Sequence, residues 1–193
     1  MTLPQMSRAS QLLCTFVLAC AGLASTSTAA EPASITVAQV VNSQVAMAES
    51  ETVSLAEAMP ADAYNFAPMN GEFKGARTFA LEVKHIAATN YSVAAVLLGE
   101  KNPGPAGGDN GPDAMVEKDA IVKYLKDSFA YAHRAMNTVN KDNITEQIPS
   151  PFGQGKMTRL SAANIIAWHT MDHYGQMAVY ARMKNVVPPA SRR

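Results

Sequence analysis

Two of the chain's four histidines stand one helical turn apart, in His169-Thr170-Met171-Asp172-His173. On a helix, residues four apart differ by about 40° around the axis, so both imidazoles point to one side and can reach a single ion. Gln176 continues the same stripe, whose other members are Ala162, Ile166, Tyr180 and Met183. Burying two imidazoles and an amide without partners costs roughly 1–3 kcal/mol each. A core stripe carrying all three implies something to bind. A divalent transition metal is the simplest answer, because imidazole nitrogen suits such ions, with zinc or nickel favoured and iron or manganese as alternatives. The competing reading is a pair of core histidines satisfied by hydrogen bonds.

Metallopeptidase patterns fit poorly. The H-E-x-x-H motif needs Glu directly after the first histidine, where this chain has Thr170. The inverted H-x-x-E-H motif finds Asp172 in place of Glu, with a shorter reach. No Asp or Glu follows His173, so no downstream carboxylate completes such a site.

A third ligand must come from upstream, where only His85 and His133 are available. His133 has Lys126, Ala130, Arg134 and Asn137 as helical neighbours, mostly a solvent or boundary face. His85 lies near Leu81, Glu82, Ala88 and Thr89, on the less polar flank of its stripe, and spacing alone gives it a modest edge. Glu82, one turn earlier, reads equally as an exposed carboxylate, an extra ligand or an acceptor behind a ligand. Three protein ligands with open positions are the geometry of catalytic ions, whereas structural zinc is normally closed by four. Such an ion lowers the pKa of bound water or a thiol, or polarises a carbonyl. Asp172, Glu82 and Gln176 are the candidates for an accompanying catalytic group. Trp168 reads as a packing residue.

The elements that must position these groups are helices. Apolar residues spaced alternately four and three apart mark four amphipathic segments. These are Val41, Val45, Ala48, Thr52, Leu55, Met59; then Phe79, Val83, Ile86, Asn90, Val93, Leu97; then Val122, Leu125, Phe129, Ala132, Met136, Val139; and the histidine-bearing stripe ending at Met183. Strand signals are nearly absent. Four such helices specify an all-α four-helix bundle. Its longer joints are Pro60–Gly75 and the Pro/Gly-rich Lys101–Pro112; both are expected to cover an end of the bundle, and the second to act as a lid.

Residues 1–30 differ from the rest. They hold one base, Arg8, no acid, an apolar run from Leu12 to Ala24, and a small-residue exit at Ser27-Thr28-Ala29-Ala30. This composition predicts a secretory signal peptide cleaved after Ala29 or Ala30, leaving residues 31–193 as an exported domain, periplasmic or secreted. Val17-Leu18-Ala19-Cys20 offers lipid anchoring at Cys20 as a lesser alternative. Both cysteines leave with the signal, so any metal site must use nitrogen and oxygen. Losing Arg8 from 16 basic and 16 acidic residues leaves a net charge of −1. That balance argues against nucleic acid as a partner. Nothing after residue 30 is apolar enough to span a membrane.

Three stretches together resemble DinB-like proteins: Met59-Pro60-Ala61-Asp62-Ala63-Tyr64-Asn65-Phe66-Ala67-Pro68, the run from Arg77 through His85 to Tyr91, and His169-Thr170-Met171-Asp172-His173-Tyr174-Gly175-Gln176. The likeness covers essentially the whole chain after residue 30. It implies a bundle of the DinB/YfiT type, often a homodimer, with a metal held by one histidine from the second helix and two from the fourth. Carried over by position, these are His85, His169 and His173. This resemblance, rather than spacing, places His85 above His133. Some relatives are thiol S-transferases, isomerases or hydrolases, so a metal-dependent hydrolase or thiol transferase is expected, acting on a small molecule of unknown identity. A non-catalytic exported module that binds metal or ligand is the alternative. The signal peptide sets this chain apart from intracellular relatives and speaks against a cytosolic thiol as cosubstrate.

Overall fold

Threonines start three of the four helices. Thr36 caps α1 (Val37–Ala58) in a reciprocal box, accepting from the Gln39 amide while its own amide donates to the Gln39 side chain. Thr78 caps α2 (Phe79–Leu98) and Thr158 caps α4 (Arg159–Met183), each accepting from the amide three residues on. The helix α3 spans Lys118–Met136. These elements come from a computed structural model that describes residues 34–192, so the expected signal segment and Cys20 lie outside the described residues. No helix among the described residues is long and apolar enough to cross a membrane.

All the stripe positions expected for the first three helices are buried, from Val41 through Met59, Phe79 through Leu97, and Val122 through Val139. Their side chains form one core with the inner face of α4. The fourth stripe needs correction. Ala162, Ile166, His173 and Tyr180 are buried, but Gln176 is exposed and Met183 is 47% exposed. Met177 and Ala181 fill the core instead. A strict 4-3 alternation slips about 20° per seven residues on an ordinary helix, so its later members rotate off the core face. His169, on the drifting edge, is half-buried.

Directions follow from the contacts. Glu82 of α2 meets His173 of α4, while Leu97 at the far end of α2 meets Arg159 at the start of α4, so these helices are antiparallel. Tyr91 stacks on Tyr124, and Glu100 just beyond α2 pairs with Arg134 of α3, so α2 and α3 run parallel. A parallel pair cannot be joined by a tight turn. The connection must return along the whole of α2, roughly 30 Å for 20 residues. It touches Ser92 from Asn102, Tyr91 from Gly104, His85 and Arg77 from the Asp109-Asn110 pair, and Lys84 from Pro112 and Met115. The Lys101–Pro112 joint therefore lies along the flank of the bundle, not over its end. Lys84 fastens it: this lysine is 4% exposed and its ammonium donates to the carbonyls of Pro112 and Met115 at 2.8 and 3.2 Å.

Between α3 and α4 a small antiparallel hairpin pairs β1 (Gln147–Pro149) with β2 (Lys156–Thr158). Three residues per strand are too few to leave an alternation in the sequence, so strand signals are nearly absent there.

Leu125 is fully buried, whereas Val116 is 68% exposed. Leu125→Ala is expected to lower the unfolding free energy by about 2–5 kcal/mol, and Val116→Ala to change it by less than about 0.5 kcal/mol. Urea denaturation of the two variants checks this.

Candidate metal centre

The antiparallel packing of α2 and α4 brings His85, His169 and His173 together. One nitrogen from each lies within 4.8 Å of the others. Nε2 of His85 is 3.1 Å from Nε2 of His169, and the three ring centroids are separated by 4.5–4.9 Å. His85 and His173 are each 7% exposed.

The protons can be placed. Nδ1 of His85 is 2.6 Å from the main-chain oxygen of Asp109, and a carbonyl only accepts, so Nδ1–H donates. His173 donates from Nδ1 to the Glu82 carboxylate at 2.5 Å. With Nδ1 committed outward in each ring, both Nε2 atoms are turned inward. Burial pushes His85 below the ordinary imidazole value, with Arg77 adding in the same direction and the Asp109 carbonyl opposing. Burial, reinforced by His173 and His85, pushes His169 down to about 3. Both are neutral at ordinary pH.

This arrangement is unsatisfied on its own. His169 Nδ1 is buried with no hydrogen-bond partner, and its Nε2 faces a lone pair. Without a cation, His169 can satisfy the His85 lone pair only by turning its own proton inward on Nε2, which leaves its buried Nδ1 a bare acceptor; a cation among the inward nitrogens takes up the lone pairs directly. Nitrogens about 2.0–2.1 Å from a tetrahedral zinc sit about 3.3 Å apart, close to the 3.1 Å between His85 and His169. The residues fit a divalent metal.

Glu82 is 1% exposed and stands behind His173, so the exposed-carboxylate reading fails. It lies on the outer side of the ring, as an acceptor rather than within the group of inward nitrogens. Gln176 reaches no closer than 3.5 Å to His173 Nδ1, from an exposed position. Asp172 is exposed. His133 lies elsewhere, bonded to Asn42 and Glu49 of α1. Trp168 is not core packing: it is 58% exposed, with its ring 6.0 Å from that of His169. Together with Met47 and Met171 it lines a groove of about 490 Å³ between α1 and α4.

Sequence reasoning missed Asp109 and Arg77. Asp109 supports His85 through its main-chain oxygen, a contact any residue type can make, so no side-chain pattern announces it. Its carboxylate also lies 3.3 Å from His85 Nδ1 and 2.7 Å from Arg77.

Fold and histidine cluster define a four-helix bundle with a three-imidazole pocket between its second and fourth helices. The sequence matches the DinB superfamily over residues 44–177, more than half of the chain, and the protein belongs to that superfamily. Among solved structures it is similar to a DinB-like protein from Bacillus cereus, with TM-score 0.60, 17% identity, and coverage of 80% of this chain and 96% of that one. A DinB-like protein from Bacillus subtilis gives TM-score 0.57 and 18% identity, covering 80% and 99%. A conserved protein from Enterococcus faecalis gives 0.62 and 14%, covering 78% and 98%. These likenesses concern the fold. No curated protein matches the chain.

Two predictions follow from the proton placement. Glu82→Gln is expected to weaken zinc binding about 10–100-fold, read by competition with a chromophoric chelator, because an anionic acceptor behind a ligand strengthens its donor nitrogen. The lowered His169 value also has a sign. In the metal-free protein the unfolded ring takes up a proton near pH 6.5 and the folded ring only near 3, so stability is full above about 6.5 and falls as the pH drops toward 3. His169→Gln is expected to flatten this loss, seen as a smaller shift of the urea midpoint between about pH 4 and 6.5.

Proposed function

We propose that the protein is an exported metal-dependent enzyme, in which His85, His169 and His173 hold one divalent ion, zinc or nickel, and leave positions open for water or substrate. The carrying observation is the inward convergence of three imidazoles, two of which donate outward to fixed acceptors. Such an ion supplies Lewis acidity and a lowered pKa for bound water or thiol. The chain's own residues prepare for it. Glu82 orients His173, the Asp109 carbonyl orients His85, and burial keeps His169 neutral and able to donate its lone pair. Beside Asp109 a cavity of about 360 Å³, lined by Ala88, Thr89, Ser92, Gly108 and Phe152, has room for a small molecule. Hydrolysis or thiol transfer is the reaction class, and export rests on the character of residues 1–30.

A second reading, a non-catalytic module that binds metal or ligand, is favoured by one observation. Of the carboxylates weighed as a base, Glu82 is engaged by His173 and Asp172 is turned to solvent. Exchange of azide or imidazole at a cobalt-loaded centre, followed by its visible spectrum, separates the readings. Ready exchange supports the open site of an enzyme, and inertness supports the binding module. The homodimer belongs to the same proposal, with the apolar α1–α4 groove at Trp168 as its available face.

The protein purified without chelator or histidine tag is expected to carry about one transition metal per chain by elemental mass spectrometry. His169→Ala and His173→Ala are expected to lose it, and His133→Ala to keep it. Stoichiometric metal in His169→Ala overturns the assignment.

A further inference from the structure

The crossover between α2 and α3 reaches the histidine cluster at one tight turn. Gly111 donates its amide to the Gly108 carbonyl at 3.0 Å, leaving Asp109 and Asn110 at the tip. The doubling back is enforced next door, where any Cβ on Gly107 would lie 2.3 Å from the Pro112 nitrogen. In such a turn the carbonyl of the second residue is not used by the turn itself. Here it receives Nδ1–H of His85 at 2.6 Å. Arg77, just ahead of α2, grips both tip residues: Nε donates to Asn110 Oδ1 and Nη2 to Asp109 Oδ2, each at 2.7 Å. The Arg77 side chain is 27% exposed, and that of Asp109 72%.

The closed structure holds the His85 proton on Nδ1, and the other tautomer, open to the ring only when the crossover lifts away, has the opposite consequence for this turn. With the proton on Nδ1, it holds the Asp109 carbonyl. With the proton on Nε2, it donates toward His169 Nε2, 3.1 Å away. Nδ1 then presents a lone pair to the carbonyl oxygen at 2.6 Å, which is repulsive. A metal on Nε2 removes that second tautomer. We propose that Arg77, Asp109 and His85 form a metal-responsive clasp: occupancy of the three-histidine centre locks the His85 proton outward and fastens the Lys101–Pro112 crossover to α2, with Arg77 as a positioning residue for the Asp109 carbonyl. The inference rests on the metal reading given above. Because coupling between two equilibria is reciprocal, the factor by which metal fastens the crossover is also the factor by which the fastened crossover tightens metal binding.

Lys101 is exposed and is the sole tryptic site in the crossover, which makes limited proteolysis a direct probe. The full purified chain is digested with and without saturating zinc, and the fragments cut after Lys101 are followed by mass. Zinc binding is measured separately by calorimetry. Zinc is expected to slow this cut roughly 5–150-fold, the usual range for coupled sites. In Arg77→Ala the protection is expected to vanish while stoichiometric binding remains, weaker by a similar factor. Urea stability of the metal-free variant should match that of the parent, a result a merely structural arginine would not give. Arg77→Lys should behave like Arg77→Ala, since a point ammonium cannot hold both tip residues in the same fork. Asp109→Asn, which keeps the carbonyl and the side-chain shape, should lose part of the protection. Stoichiometric zinc with an unchanged cutting rate in the parent chain overturns the clasp and leaves the metal reading standing. A parent chain that binds no zinc overturns both.

Discussion

Everything in this centre follows from one rule of imidazole chemistry: a neutral ring has one proton, and the nitrogen that carries it cannot also offer a lone pair. For two histidines to face inward with lone pairs, each must find an acceptor for the proton it turns outward. Glu82 is buried for that purpose, an otherwise costly place for a carboxylate. The Asp109 carbonyl does the same for His85 from a segment that belongs to no helix. His169 has no outward partner, and its ring is also the one pushed furthest toward neutrality. The three imidazoles are thus unequal, and the inequality lies behind the rings rather than among them.

The topology makes this possible. Parallel packing of α2 and α3 obliges the chain to come back along α2 before α3 can start. That return delivers a turn tip to the flank of His85. An up-down connection would have left this flank to solvent. The buried Lys84, bonded to two crossover carbonyls, fixes the path one residue from His85.

The bundle was legible in the sequence because core burial imposes a period, and eighteen positions spread over three helices obey it. The histidine pair was legible because polar residues on an apolar stripe break that period. Choosing His85 over His133 needed a family resemblance, since both sit beside rather than on their stripes. Gln176 and Met183 were misplaced because a seven-residue stripe and a straight helix part company over about four to six turns. The direction of α3 was not legible: periodicity reports which face is buried and says nothing of which way the helix points. Asp109 was invisible for a related reason, as its key atom belongs to the backbone.

The distance along the chain between the three imidazoles has its own consequence. His85 and His169 are 84 residues apart, with all of α3 and the hairpin between them. A chain synthesised or threaded from its N-terminus exposes one imidazole long before the other two, and a single imidazole binds metal weakly. The three-imidazole cluster therefore does not exist until the last helix has docked. Assembly of the cluster is a late event in the life of each molecule, and the meeting of its three rings reports that folding is complete.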